Sequence, residues 1–450
     1  MIVRSVIKEL EIWAKKKKRK PLVLRGARQV GKTTAVHQFA QQFKQYIYLN
    51  LELKADREPF EQFTDIETLI QSLFFIKNKT LADKSNTLIF IDEIQEVPEA
   101  FNTLRYFFED MPDIYVIAAG SLLETIFNQQ LSFPVGRVEF LVIRPVSFPE
   151  FLQAINETAA LEQIQMIPMN DFAYEKLLRL FHVYALIGGM PEIVSEYAES
   201  KDLTSLAPLY DGLLATYIED VEKYAKSGAQ IQSIRHAIRV GFYEAGKRIK
   251  FHGFGNSNYG SREMGEALRT LEKTMLFTLI YPVTSTKLPL APDYKKSPRL
   301  QALDTGLMNY LLKVQKDIIG TSDLHNVYQG TVIEHLVGQE ILAAQFSVLS
   351  ALNFWVREKK TSDAEVDFIV PYNGKLIPIE VKSGKEGKLR SLHLFMNDVP
   401  HPCAIRFYAG KLNLTSVTTI EGKTYQLLSL PYFLASQLEK YIEWLQNQGN

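Results

Sequence analysis

The sequence predicts a multidomain α/β protein, with a helix-wrapped parallel sheet at the front, a helical stretch behind it and a mixed α/β domain at the end. Three observations carry that expectation. Short, fully apolar, β-rich runs alternate with amphipathic stretches through the first third of the chain, the pattern of strands buried on both faces. The loop "GARQVGKT" at 26–33 sits between one such run and an amphipathic stretch. The length, 450 residues, suggests about three domains at ~150 residues each.

Taken in order, the candidate strands of the front region are 21–26, 46–52, 87–93, 114–121 and 137–144. From 145 to about 215 the spacing turns helical, with one break at "IGGMPE" (187–192). Residues 216–320 read as a second helical unit closing in short strands. Strands return near 353–357, 365–370, 375–382 and 403–409. The expected domains are 1–150, 151–215, 216–320 and 321–450, with no internal repeat and no low-complexity linker.

Composition narrows the function classes. Basic and acidic residues balance at 51 each, which argues against a surface uniformly built for polyphosphates but leaves room for local basic patches. The single cysteine, Cys403, excludes a disulfide framework and a cysteine zinc site. The histidines show no metal-ligand spacing. No apolar run approaches the ~18 residues of a membrane span, and "MIVRSVIKELEIW" lacks a signal-peptide core. The expectation is a soluble, cytoplasmic protein with no membrane partner. The run "KKKKRK" (15–20) reads as a solvated helix end.

The loop at 26–33 matches GxxxxGK[ST] after a strand and before a helix. Its backbone N–H groups, from Gly26, Ala27, Arg28, Gln29, Val30 and Gly31 on to Lys32, Thr33 and Thr34, can converge on phosphate oxygens. Lys32 would reach the β- and γ-phosphates of ATP, Thr33 would offer its hydroxyl to Mg²⁺, and the helix start adds positive potential. A second motif, "LIFIDEIQ" (88–95), ends an apolar strand in two acids. Asp92 would complete the Mg²⁺ shell, and Glu93 would orient or deprotonate the attacking water. That second acid favours hydrolysis over phosphate transfer to a small acceptor.

The pieces "LRGARQVGKTT", "FIDEIQ", "AAGSLLE", "RPVSFPEFL" and "IGGMPEIV" together resemble one bacterial and archaeal group of AAA+ ATPases, along essentially the whole chain. Its members carry a P-loop ATPase in front of an uncharacterised domain. The resemblance implies a homo-oligomer, such as a hexameric ring, with nucleotide bound between subunits. It gives Ser121, after the strand lying between the two motif strands, a contact to the water or γ-phosphate; an N-cap for the following helix fits Ser121 equally. It makes Arg137 a finger for the neighbouring subunit, with Arg144 in reserve. It also brings Gly189 and Pro191, in a helical lid, to the nucleotide. Gly–Gly followed by Pro equally suits a simple helix break.

For the middle segment, "GSREMGEALRTLEKTMLFTLIYPVTS" (260–285) gives a helix and then a strand, the order of a winged helix, and the resemblance implies such a domain. Arg262, Arg269 and Lys273, with Lys247, Arg248 and Lys250, could meet DNA phosphates. At the end of the chain, "AEVDFIV" (364–370) and "PIEVK" (378–382), joined through "PYNG", form a hairpin carrying Asp367, Glu380 and Lys382. Glu380 and Lys382, two apart on a strand, face one side while Val381 faces the other. Two carboxylates can hold Mg²⁺ near a phosphodiester while the lysine steadies developing charge. With Glu334 on the preceding helix as a further ligand and Glu340 in reserve, the order resembles the PD-(D/E)XK, or restriction-endonuclease-like, fold. Val366 stands where that pattern has proline. The expectation is an ATP-hydrolysing motor that binds and remodels branched or structured DNA, with a nuclease-fold domain whose Asp367, Glu380 and Lys382 either cleave it or hold its backbone. The alternative is an ATP-gated switch or scaffold with a vestigial, non-cleaving nuclease fold.

Overall fold

The computed structural model describes residues 2–120, 136–220, 225, 227–315, 331–359, 362–382, 384 and 389–448. They fall into two compact units. The first is Val3–Arg144 with Gln345–Leu349; the second is Met1–Ile2, Pro145–Ala344 and Ser350–Asn450.

The first unit runs α1 (Val6–Ala14), β1 (Leu22–Arg25), α2 (Lys32–Ala40), β2 (Gln45–Asn50), α3 (Lys54–Glu61), α4 (Ile66–Ile76), β3 (Thr87–Asp92), α5 (Pro98–Asp110), β4 (Tyr115–Ala119) and β5 (Glu139–Val142). All five strands are parallel, in the order β2-β3-β4-β1-β5. Every residue of the interior strand β3 is buried, whereas the edge strand β2 alternates buried and half-buried positions. This is the gradient expected of a sheet covered on both faces. Ile89 and Val116 pack with Phe101 and Leu104 of α5 in one apolar cluster. β4 lies between β1 and β3, the two strands that carry the motifs, as the sequence predicts. At the β5 edge, the Val142 N–H donates to the Phe346 carbonyl at 2.9 Å, so a short returning segment completes the unit.

The second unit opens with helices α6 (Phe148–Ala154), α7 (Thr158–Gln165), α8 (Tyr174–Ile187), α9 (Pro191–Ser200) and α10 (Ala207–Glu219). α11 (Gly228–Glu244) and α12 (Ser261–Lys273) follow, then β6 (Phe277–Ile280), β7 (Pro282–Val283), β8 (Arg299–Ala302), α13 (Thr305–Leu312) and α14 (Thr331–Ala343). The remainder is β9 (Phe354–Lys359), β10 (Ser362–Val366), β11 (Phe368–Tyr372), β12 (Lys375–Val381), α15 (Arg390–Asp398), β13 (Cys403–Tyr408), β14 (Asn413–Thr418), β15 (Thr424–Pro431) and α16 (Leu438–Asn447). The largest sheet has the order β11-β12-β13-β15-β14; β10-β9-β7 form a second and β6-β8 an antiparallel ribbon.

Two sequence expectations change here. The cut expected after residue 150 falls between Arg144 and Pro145. The segments 151–215, 216–320 and 321–450 share one continuous apolar cluster, from Phe151 and Tyr184 through Ile238 and Leu268 to Ile405 and Leu445. Amphipathic helices state that they have an apolar face but not which neighbour covers it. The run 364–370, read as one strand, is two strands in different sheets, broken by a bend at Asp367. β11 and β12 do form the expected hairpin, with Asn373 and Gly374 at φ 45° and 74°, the signature of a two-residue type I′ turn.

Candidate nucleotide site and carboxylate cluster

The loop leaves the end of β1, and Gly31 caps α2 at φ 91°, a backbone conformation that side chains resist. Gly26, Ala27 and Val30 are buried, Arg28 is half-buried, and Gln29 and Thr34 are exposed. Lys32 is only 7% exposed. Its Nζ donates to the Gly26 and Ala27 carbonyls, both at 2.9 Å. Burial pulls the ammonium down to about 8, against the opposing attraction of Glu93 and Asp92. The Thr33 hydroxyl donates to Asp92 Oδ2 at 2.7 Å. Asp92, at the end of β3, is raised by burial despite that bond. Glu93 takes a left-handed conformation at φ 51° and accepts from Gln95 Nε2 at 2.6 Å. A hydroxyl and a carboxylate converging beside an ammonium are a hard-oxygen donor set suited to Mg²⁺ on a polyphosphate.

Two neighbours escape sequence reasoning. Arg4, buried near the amino terminus, donates from Nη1 to the Val30 carbonyl at 2.9 Å and from Nη2 to the Arg144 carbonyl at 2.6 Å. It thereby ties the phosphate loop to the end of β5. The Tyr48 hydroxyl reaches Asp92 Oδ2 at 3.4 Å, and the alternation Tyr46–Tyr48–Asn50 along β2 was the available signal. Arg137 precedes β5, is partly exposed and pairs with Glu109 at 3.1 Å. Arg144, the reserve, is pulled down to about 10 by burial. Ser121 lies outside the described residues.

Pro191 opens α9 in the second unit, while the phosphate loop belongs to the first. The turn before it has a local explanation. A Cβ on Gly189 would meet the Val146 carbonyl oxygen at 2.2 Å, so only glycine fits. The Gly189 N–H donates to buried Asp304 Oδ2 at 2.6 Å, and Asp304 also caps α13 through the Leu307 N–H at 3.1 Å. The Tyr184 hydroxyl donates to Glu340 at 2.6 Å, and the Phe148 N–H donates to both Glu340 oxygens at 3.1 Å. Glu340, the reserve ligand, therefore belongs to this network. Six residues along a helix turn the side chain to a different face from Glu334.

The structure does bring Glu334, Asp367, Glu380 and Lys382 together, and adds two residues the sequence reading missed. Arg299, first residue of β8 and 4% exposed, donates from Nη1 to the Asp367 carbonyl at 3.1 Å. The same Nη1 lies 3.5 Å from Glu334 Oε2. Its Nη2 pairs with Glu365 and lies 4.0 Å from Asp367 Oδ1. Asp367 Oδ2 accepts the Val381 N–H at 2.7 Å. Lys382 pairs with Glu380, whose second oxygen is buried without a hydrogen-bond partner. Four carboxylates thus face Arg299 and Lys382, and Arg248 Nη1 lies 3.8 Å from Glu365 Oε2. Burial, reinforced by the Asp367 charge, raises Glu334 and Glu380 to about 8. Among the described residues no three histidine, cysteine or acidic side chains are grouped so as to hold a metal ion, which departs from the ligand set Glu334, Asp367 and Glu380.

A pH dependence follows. Burial also raises Asp304 to about 6 and Glu340 to about 7. Glu334, Glu340 and Glu380 keep protons in the folded chain where an unfolded chain has lost them, so stability falls as pH rises through about 6.5 to 8. Buried His335, lowered to about 4 by burial, works the other way but only below the ordinary imidazole value of about 6.5. Thermal unfolding of the second unit should therefore drop across that window, with a shallower slope in Glu380→Gln. A midpoint that climbs with pH there would contradict the assignment.

A parallel sheet with this strand order, a phosphate loop on β1 and an acid pair at the end of β3 define a P-loop ATPase. Residues 18–152 match the family described as AAA domain, in keeping with that phosphate loop and acid pair. Residues 178–318 and 329–430 match two families described as domains of unknown function, DUF8612 and DUF4143. No curated protein matches the chain. Among solved structures it is similar to the Walker-type ATPase PABY2304 of Pyrococcus abyssi, at 14% identity and TM-score 0.44, over 69% of this chain and 96% of that one. It is similar to the Aeropyrum pernix ORC1 protein in complex with DNA, at 15% identity and TM-score 0.30, over 69% and 93%. Cdc6p from Pyrobaculum aerophilum is similar at 11% identity and TM-score 0.25, over 70% and 92%. At these TM-scores the likenesses say nothing of ligand or partner. No helix among the described residues is long and apolar enough to cross a membrane.

Proposed function

We propose that the chain is a Mg·ATP-hydrolysing AAA+ motor that binds and remodels DNA. The observation that supports the ATPase most directly is the Thr33–Asp92 pair beside Lys32. The β- and γ-phosphates displace the Gly26 and Ala27 carbonyls from Lys32, and the loop N–H groups from Gly26 to Thr33 hold the remaining oxygens. Glu93 accepts the proton of the attacking water. Thr33 and Asp92 would hold magnesium, whose charge would offset that of the phosphates. In an oligomer, Arg137 of one copy exchanges Glu109 for the γ-phosphate on its neighbour.

The DNA half of the reading rests on α12. Arg262, Arg269 and Lys273 are exposed at positions 262, 269 and 273, with Glu266 between them, along one helical face. The order α11, α12, then the β6–β8 ribbon supports a winged-helix reading, and the order α14, the β11–β12 hairpin, α15 and β13 supports a nuclease-like one. The rival reading, an ATP-gated switch, is favoured by the pairing of Arg262 with Glu266, Lys247 with Glu244 and Arg248 with Glu358. ATPase rates with duplex, single-stranded and four-way DNA separate them. The expected result is stimulation by DNA, weakened when Arg262, Arg269 and Lys273 are changed to glutamate, with a shallower salt dependence of binding. Indifference to every DNA form would establish the switch instead.

A further inference from the structure

We infer that Arg299 is a built-in counter-ion that occupies the place a divalent cation would need among Glu334, Glu365 and Asp367, so that the C-terminal domain takes up no Mg²⁺ or Mn²⁺ there and cleaves no phosphodiester. A metal-dependent nuclease site needs several carboxylate oxygens free to converge on one small ion at roughly 2.0–2.6 Å. Here Glu334 Oε2 and a Glu365 oxygen face a guanidinium, and Asp367 Oδ1 lies 4.0 Å from it. Arg299 meets the Asp367 carbonyl and Glu334 through one nitrogen and Glu365 through the other. Its Cζ lies 4.7 Å from the centroid of the Phe354 ring, and its backbone pairs in β8 with Ile280 of β6. A planar, permanently charged fork is suited to several carboxylates at once in a way a lysine is not. The side chain is buried, so the plug is part of the core and not a surface arm.

The acids and the cation come from different stretches of chain. Glu334, Glu365, Asp367, Glu380 and Lys382 all lie within residues 329–430, whereas Arg299 lies within 178–318. The order D…ExK therefore survives in the sequence while its charge is satisfied by a segment outside the motif. Hydrolysis of a phosphodiester needs a cation to activate water and to neutralise the phosphorane-like charge. A guanidinium already paired with carboxylates supplies neither. The inference goes beyond the ATPase reading and stands without it.

Mn²⁺ binding to the nucleotide-free, full-length protein tests it, because any ion at Thr33 and Asp92 is common to all variants compared. The wild-type protein and Glu380→Gln should bind Mn²⁺ identically, and neither should nick plasmid DNA in Mg²⁺ or Mn²⁺. Arg299→Met should gain one site, about tenfold or more tighter than any the wild type offers at the cluster. That site should vanish in the Arg299→Met, Glu380→Gln double variant, and Arg299→Lys should not create it. A wild-type Mn²⁺ site or nicking activity that Glu380→Gln removes would overturn the inference. So would a cooperatively folded Arg299→Met that gains no site. Should Arg299→Met fail to fold, the comparison of wild type with Glu380→Gln decides alone. ATP turnover, measured in parallel, reports separately on the first unit.

Discussion

Lys32→Ala removes ATP hydrolysis while leaving the first unit folded. The side chain is buried and its ammonium depressed to about 8, so the fold loses an expensive charge and two hydrogen bonds to loop carbonyls rather than a packing element. The nucleotide site loses the buried ammonium that lies beside Asp92 and Glu93. Removing a single preorganised donor to developing charge costs roughly 10²–10³ in turnover, and nucleotide affinity falls with it. Glu93→Gln separates the two effects, because it keeps the phosphate contacts and removes the base, a loss of about 10²–10⁴ with ATP still bound. Phosphate release together with fluorescent-nucleotide binding reads both. Turnover in Lys32→Ala comparable to wild type would remove the loop from the mechanism.

The second large effect is structural. Asp304→Ala destabilises the second unit by roughly 2–5 kcal/mol, because it strands the buried N–H groups of Gly189 and Leu307 and removes the cap of α13. Asp304→Asn keeps one accepting oxygen and costs less. Chemical denaturation followed by near-ultraviolet dichroism measures the difference, and an alanine variant as stable as wild type would show that the turn at 187–190 does not depend on this carboxylate. The glycines before Pro191 thus have a packing reason within the second unit.

What the sequence discloses, and what it withholds, follows the range of the interactions. The phosphate loop is legible because eight contiguous residues carry both its conformation and its chemistry, and the "FIDE" strand because its apolar run ends abruptly in acids. The hairpin at 371–374 is legible from Asn-Gly turn chemistry. The bend at Asp367 is not, since alternation continues through it and only the pairing partners change. Arg299 reads as an ordinary basic residue in "KKSPRLQ". Its burial depends on which acids a distant hairpin and helix bring to it, and no local period encodes that. Asp304 and Glu340 are hidden for the same reason, as each serves backbone groups more than a hundred residues away.

The returning strand segment at the β5 edge bears on how this protein can be taken apart. The ATPase fold is not one stretch of chain, since its last partner for Val142 is supplied by Phe346 after two hundred intervening residues of the other unit. A fragment ending at Arg144, although it contains every nucleotide-site motif, would present an unpaired strand edge to solvent and to other copies of itself. Adding residues 345–349 through a short flexible linker should cover that edge and suppress aggregation, and the two polypeptides can be compared by light scattering. In this chain the two units interleave, since Pro145–Ala344 separates the first unit's two segments and Ser350–Asn450 follows them, so no single cut parts one from the other.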